Sequence, residues 1–127
     1  MNEILRHFIV ARRLLSETAE LPKPVLRVMD AISSDPARDW KANELASEAG
    51  LSYSRLRLHF RNSVHETLHQ YIQHTRLNLA RELLGDRSLR IREIAERLHF
   101  SNEYYFSTLF RQQTGLTPSQ FREHLAR

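Results

Sequence analysis

The sequence predicts an all-α protein, and three observations support this fold class. Residues that break helices are scarce, with 3 Gly and 4 Pro among 127 residues. No segment shows the sustained alternation of apolar and polar residues that is typical of strands. A segment recurs at an offset of about 50 residues, and both copies have apolar residues at helical spacing. Together these features favour helices packed in two repeated units.

The composition limits the classes of function. Lys and Arg number 19 against 15 Asp and Glu, a formal net charge of +4, and 17 of the 19 are Arg. Arg suits bidentate contact with phosphate and guanine, so nucleic acid is the first partner to test. The absence of Cys excludes a disulfide scaffold and thiolate chemistry. No apolar run approaches the roughly 20 residues of a membrane span, so we expect a cytoplasmic protein without membrane contact.

The chain divides near its paired prolines. Residues 2–18 have an amphipathic helical pattern, which Pro22 and Pro24 interrupt. A further helix begins near Val25. Residues 1–39 carry 6 basic and 6 acidic side chains, and residues 40–127 carry 13 and 9, so the whole excess of 13 − 9 = 4 lies in the second part. We therefore treat residues 1–21 as an N-terminal helix and linker, and 24–127 as the main domain.

The internal repeat defines two units within that domain. The copies begin at Glu44 and Glu93 and read ELASEAGLSYSRLRLHFRNSVHETLHQYI and EIAERLHFSNEYYFSTLFRQQTGLTPSQFR. They align with one additional residue in the second copy, placed after the pair Ser52 and Ser101. Each copy has the pattern of helix, tight turn and helix. The units span about 42–63 and 91–113.

The turn and helix positions of each unit follow from residue type. Gly50 and His99 occupy the turns, where a left-handed backbone is expected. Ser52 and Ser101 are expected to cap the second helices. The inward positions of these second helices are Leu56, Phe60, Phe106 and Phe110. This is helix-turn-helix geometry, in which the second helix offers its outer face to a groove.

A long helix is predicted between the units, over about 67–84. Thr67 with Gln70 forms a capping-box pattern at its start. Thr117 with Gln120 forms another before a final short helix, where Pro118 suits the first helical position.

The run IREIAERLHFSNEYYFSTLFRQQTGLTPSQFR, from Ile91 to Arg122, resembles the DNA-binding domain of the AraC/XylS family of bacterial transcription regulators. Arg76, Ala80 and Leu84 match the linker-helix pattern of that family, whereas His65 and His99 stand where the family usually has Gly. The resemblance implies seven helices, with two homeodomain-like helix-turn-helix subdomains joined by the linker helix. It also implies binding to double-stranded DNA and regulation of transcription, with activation through RNA polymerase in the bacterial cytoplasm. An N-terminal sensor domain and a dimer partner are expected in a full-length protein. No enzyme activity, cofactor or metal is predicted.

The resemblance also assigns candidate DNA contacts on the second helix of each unit. The expected base contacts are Ser54, Arg57, Leu58, Glu103, Tyr104, Ser107 and Thr108. Arg57 suits guanine, Leu58 a thymine methyl group, and Glu103 the amino group of cytosine. The expected phosphate contacts are Ser52, Arg55, Arg61, Ser101, Asn102 and Arg111. Of the Tyr pair, Tyr105 is expected beside the core and Tyr104 toward DNA, although aromatic pairs also stack on single strands.

Two other functions remain open at this point. Residues 65–69 read HETLH, a literal match to the zinc protease motif, in which His65 and His69 would bind zinc and Glu66 would act as the base. That chemistry needs both His on one helical face, whereas Thr67 is expected to start the helix between them. The other alternative is a helical protein-interaction module that does not bind DNA. Residues 2–18 allow either a stand-alone regulator or the end of a missing sensor domain.

Overall fold

The computed structural model describes residues 21–126, and the predicted N-terminal helix over 2–18 lies outside them. Within the described residues the protein has seven α-helices and no strand, so the all-α prediction is confirmed. The helices are α1 (Lys23–Ser34), α2 (Ala42–Ala49), α3 (Tyr53–Val64), α4 (Leu68–Leu83), α5 (Ile91–Arg97), α6 (Glu103–Thr114) and α7 (Pro118–Leu125). The predicted bounds of both units and of the linker helix agree with these to within a residue or two. No helix among residues 21–126 combines the length and the apolar character needed to cross a membrane.

The apolar residues form two separate cores that share α4. The first half of α4 contributes Leu68, Tyr71 and Ile72 to a core with α1, α2 and α3. The second half contributes Leu77, Ala80 and Leu84, the last of these just beyond its end, to a core with α5, α6 and α7. Burial of apolar surface in each core stabilises one helix-turn-helix unit. Since both cores use the same helix, α4 connects the two units directly.

The second helix of each unit turns the predicted residues inward. Leu56, Phe60, Phe106 and Phe110 are all fully buried. The rings of Phe106 and Phe110 lie 5.8 Å apart, and Phe110 meets Phe121 edge to face at 5.3 Å. This packing fixes which faces of α3 and α6 point away from the cores.

The turns have the expected backbone. Gly50 and His99, which end the first helix of each unit, have φ values of +68° and +62°. His65 and Gly115, which end α3 and α6, have φ values of +66° and +85°. The left-handed region favours Gly, and His enters it at a cost. The two units therefore share the same two left-handed turns even where the residue types differ.

The cap of α6 differs from the prediction. Ser52 does cap α3, because its hydroxyl accepts from the Arg55 amide at 3.3 Å. In the second unit Asn102 is the cap, with Oδ1 accepting from the Tyr105 amide at 2.7 Å, and the predicted Ser101 cap is wrong. The physical reason is position: α6 begins at Glu103, and only the residue immediately before it reaches the third amide. Ser101 is thus the extra residue of the second copy, and the predicted pairing of Ser52 with Ser101 is wrong by one position. Both predicted capping boxes, at Thr67 and Thr117, are present.

Candidate nucleic-acid interface

The outer face of α3 gathers four of the predicted contact residues. Ser54, Arg57, Leu58 and Arg61 lie at successive helical turns and are all exposed. They line a shallow depression of about 260 Å³ beside the start of α4. The spacing is i, i+3, i+4 and i+7, which places them on one strip of the helix. The structure therefore brings this predicted set together.

Leu58 is the apolar member of this strip, and it does not contribute to either core. Its side chain is 60% exposed, whereas Leu56 two residues earlier is fully buried. A large exposed aliphatic side chain gains nothing from folding when it remains in water. Its position next to Arg57 instead provides an apolar contact within a basic strip.

The arginines of α3 form no ion pair with a described residue. The ion pairs of Lys and Arg among residues 21–126 join Arg38 to Glu44 and Lys41 to Asp39. Arg55, Arg57 and Arg61 belong to none of them. Arg57 instead lies over the ring of Tyr53, with its guanidinium carbon 5.9 Å from the ring centroid. The positive charge of α3 is therefore available to an anionic partner such as phosphate.

The corresponding strip of α6 is less basic and less exposed. It consists of Tyr104, Ser107, Thr108 and Arg111, each 50 residues after its counterpart in α3. Tyr104 is 82% exposed. Ser107 and Thr108 are half-buried, and Arg111 and Glu103 are exposed. The charge of Glu103 offsets that of Arg111, so the second strip is close to neutral.

The predicted phosphate contacts at the helix starts differ in what their side chains already do. Ser52 and Asn102 use one oxygen each to cap the helix, which leaves a hydroxyl proton and an amide group as donors. Ser101 is exposed just before the cap of α6. The first amides of α3 and α6 point outward at these ends, where an anion is favoured.

Tyr105 packs beside the second core as predicted but remains 39% exposed. Its ring centroid lies 6.4 Å from that of Phe100. Its hydroxyl accepts a hydrogen bond from Gln73 Nε2 at 3.1 Å, which joins α6 to the first half of α4. Sequence reasoning did not single out Gln73, because no local pattern relates two residues 32 positions apart.

Two arginines hold the loops that precede the helix-turn-helix units. Arg76 of α4 donates to the carbonyls of Pro36 and Arg38, at 3.1 and 3.0 Å. Arg122 of α7 donates to the carbonyls of Leu84 and Asp86, at 3.0 and 3.2 Å. Burial lowers the pKa of Arg76 from its ordinary value, and the nearby Asp39 carboxylate opposes this shift. These hydrogen bonds hold the loop that leads into the first helix of each unit. They were not predicted from the sequence, although Arg76 and Arg122 both belong to the residues that resemble the family.

The HETLH motif does not have the geometry of a zinc protease. His65 is the left-handed residue that ends α3, and Thr67 caps α4, so the two His do not share one helical face. Glu66 is 7% exposed, and its Oε1 lies 3.1 Å from Nδ1 of His74. Among residues 21–126 no three His, Asp or Glu side chains are arranged to hold a metal. The zinc hydrolase alternative is therefore wrong, and the motif forms the junction between α3 and α4.

Known protein families agree with this geometry. Residues 45–124 match the family described as a helix-turn-helix domain, which is well over half of the chain. Among curated proteins, the HTH-type transcriptional regulator AlkR of Acinetobacter baylyi is 33% identical over 106 residues, covering 84% of this chain and 35% of AlkR. The HTH-type transcriptional activator RhaR of Escherichia coli is 36% identical over 107 residues, covering 84% of this chain and 36% of RhaR. The chain thus spans about a third of the length of these relatives.

Solved structures with the same fold lead to the same family. A DNA-binding transcriptional dual regulator from Escherichia coli K-12 superposes with a TM-score of 0.72 at 27% identity, covering 85% of this chain and 96% of that one. The chain belongs to the AraC/XylS family of helix-turn-helix domains, which bind specific DNA sequences and regulate transcription, and it is not a member of an enzyme family.

Proposed function

We propose that α3 and α6 are the two recognition helices, and that they enter successive major grooves on one face of the duplex. The observation that carries this proposal is the strip of α3, where Arg57 and Arg61, which form no ion pair with any residue of 21–126, lie beside an exposed Leu58. A basic face with one apolar member suits a groove that presents both phosphates and thymine methyl groups. The equivalent strip of α6 would make the second contact.

In the first unit, the proposed base-reading residues are Ser54, Arg57 and Leu58. Arg57 would donate to a guanine, and Leu58 would contact a thymine methyl group. The proposed phosphate contacts are Ser52, Arg55 and Arg61. These contacts would supply most of the affinity, because α3 has no acidic residue.

In the second unit, the proposed base-reading residues are Glu103, Tyr104, Ser107 and Thr108. Glu103 would accept from a cytosine amino group and would disfavour sequences that bring a phosphate close. The proposed phosphate contacts are Ser101, Asn102 and Arg111. Because this strip is nearly neutral, it would contribute more to specificity than to affinity.

The function of the full protein is proposed from the length and names of its relatives. The curated relatives are about three times longer than the matched region, and RhaR is named as an activator. We infer that the full protein activates transcription in the bacterial cytoplasm by contacting RNA polymerase, with an N-terminal sensor domain and a dimer partner. A run-off transcription assay with a bacterial RNA polymerase would support activation if this chain raises transcript from a template carrying its site.

The first experiment is selection from random duplex DNA, with the affinity for enriched sites measured at two salt concentrations. We expect two sequence elements about one helical turn apart, and an affinity that falls with salt. Enrichment of one element would mean that only one helix reads bases. Salt-sensitive binding without enrichment would contradict base reading by both helices.

A matched pair of Leu variants tests whether the exposed Leu58 of the α3 strip contacts DNA. Leu58→Ala should lower the preference for thymine at one position without loss of stability, because the side chain is exposed. Leu125→Ala in α7, where Leu125 is 52% exposed, is the control and should leave the selected site unchanged. An unchanged site for both variants would remove Leu58 from the base contacts.

A further inference from the structure

Two contacts join the units in addition to the packing of both cores on α4. The first of these contacts is the hydrogen bond from Gln73 Nε2 to the hydroxyl of Tyr105, at 3.1 Å. Gln73 follows Ile72 of the first core directly, whereas Tyr105 lies in α6 next to the exposed Tyr104. The bond therefore runs from the side of α4 that belongs to the first unit to the recognition helix of the second.

The second contact is made by the loop between α1 and α2. Ala37 in this loop packs against the second core, although its neighbour Trp40 packs against the first. The hydrogen bond from Lys41 lowers the pKa of the Asp39 carboxyl in this loop, and the positive charge of Arg76 also lowers it. The loop thus reaches the second unit through Ala37.

Arg76 holds this loop in place from within α4. Its two hydrogen bonds to main-chain carbonyls, at 3.1 and 3.0 Å, constrain the segment that carries Ala37. A loop fixed at both carbonyls cannot follow the second unit if that unit rotates about the end of α4. The loop and the Gln73–Tyr105 bond therefore oppose the same rotation.

We propose that Gln73 and Tyr105 are positioning residues whose hydrogen bond, together with the Ala37 contact, sets the separation of α3 and α6 and makes DNA binding selective for the spacing between the two halves of the site. The inference rests on the proposal that both helices read DNA.

The geometry of the duplex makes spacing a sensitive readout. One additional base pair moves the second element by about 3.4 Å along the axis. It also rotates that element by about 34°, given about 10.5 base pairs per turn. Two units held in a fixed arrangement cannot follow both changes, whereas two units that can move relative to each other can. Loss of the Gln73–Tyr105 hydrogen bond should therefore raise the affinity for misspaced sites relative to the selected site.

The test uses the whole chain with three duplexes: the selected two-element site, and the same site with one base pair inserted or deleted between the elements. Dissociation constants are measured by fluorescence anisotropy. For each protein, the spacing ratio is the dissociation constant for a misspaced duplex divided by that for the selected site. We expect Gln73→Met and Tyr105→Phe each to lower the spacing ratio by about threefold, the range of one hydrogen bond. The double variant should lower it no further, because both changes remove the same bond.

Two further variants separate positioning from other effects. Gln73→Glu should keep the wild-type spacing ratio, because the Tyr105 hydroxyl can donate to the new carboxylate. The added negative charge should weaken binding to all three duplexes. Tyr53→Phe is the matched control, since it removes an exposed hydroxyl from α3 and leaves the Gln73–Tyr105 hydrogen bond and the Ala37 contact in place. It should leave the ratio unchanged.

Unchanged ratios in both single variants, or effects that add in the double variant, would overturn the inference while base reading by two helices stands. Selection of a one-element site by the wild-type chain would overturn the base-reading proposal, and the inference with it.

Discussion

At the scale of single residues, Arg57 and Arg111 are expected to have different roles on DNA. Arg57 lies in the middle of the α3 strip, whereas Arg111 lies in the last turn of α6. Arg57→Ala should relax the preference at one base position, which for a bidentate contact is worth about 1–3 kcal/mol of discrimination. Arg111→Ala should weaken binding to all sequences and lower the salt slope by about one. Competition with single-base variants of the site and a salt titration measure the two effects.

These two variants are each other's control. If Arg57→Ala keeps the wild-type base preference and only lowers the salt slope, Arg57 binds phosphate and the assignment to base reading is wrong.

Gln113 is a buried residue whose amide is not satisfied. It is 5% exposed on the inner face of α6, and neither its amide nitrogen nor its amide oxygen has a hydrogen-bond partner among the described residues. Burial of an amide without partners costs free energy, and Met has a similar length without polar hydrogen-bonding groups. Gln113→Met should raise the free energy of unfolding by about 1 kcal/mol, measured by urea denaturation.

Gln112→Met is the control for this prediction, because Gln112 is the exposed neighbour in the same helix. It should change stability by less than about 0.5 kcal/mol. A loss of stability in Gln113→Met would show that the amide is hydrogen-bonded in solution.

At the scale of helices and turns, the start of α6 distinguishes two adjacent polar residues. Asn102→Ala removes the side-chain acceptor of the Tyr105 amide and should lower the free energy of unfolding by about 1 kcal/mol. Ser101→Ala should have little effect, because Ser101 is an exposed insertion before the cap. Thermal unfolding of the two variants measures the difference. Equal losses would contradict the assignment of Asn102 as the cap.

At the scale of the whole molecule, the carboxylates of the loops predict sensitivity to acid. Hydrogen bonds from Ser88 lower the pKa of Asp86 below its ordinary 3.8, and the backbone amide of Lys41 lowers that of Glu44 below 4.5. A lowered folded-state pKa adds stability that is present above the unfolded pKa and is lost as the pH falls through the folded pKa. Stability should therefore decline as the pH drops from about 4.5 toward and below the folded-state pKa values.

Asp86→Asn tests this prediction in the loop before α5. It removes the charged acceptor of the Ser88 amide and hydroxyl, which lie at 3.0 and 2.6 Å. The variant should be less stable than the wild type at pH 7, and the difference should shrink in acid. Urea denaturation between pH 7 and pH 3 measures it. Glu96→Gln is the control, as an exposed acid in α5, and a constant difference across the pH range in Asp86→Asn would contradict the linkage.

Features of short range could be predicted from the sequence. The turns at Gly50 and His99, the capping boxes at Thr67 and Thr117, and the inward pair Leu56 and Phe60 are all confirmed. Each of these depends on residues within one or two helical turns, so the residue types and their spacing are sufficient. The predicted Ser101 cap is the exception. A one-residue insertion moves a cap without changing the local pattern on either side.

Contacts between distant segments were decided by the tertiary structure. Nothing in the sequence relates Gln73 to Tyr105, or Arg76 to the carbonyls of Pro36 and Arg38, because these pairs meet only after two cores have formed on one helix. Ser107 and Thr108 are half-buried, whereas their counterparts in α3 are exposed, and this difference likewise depends on packing. The contacts of either strip with DNA remain predictions. The sequence by itself thus determined the helices, the capping boxes at Thr67 and Thr117 and the two repeated units, through interactions local in the chain, and only packing decided how the two units are held together.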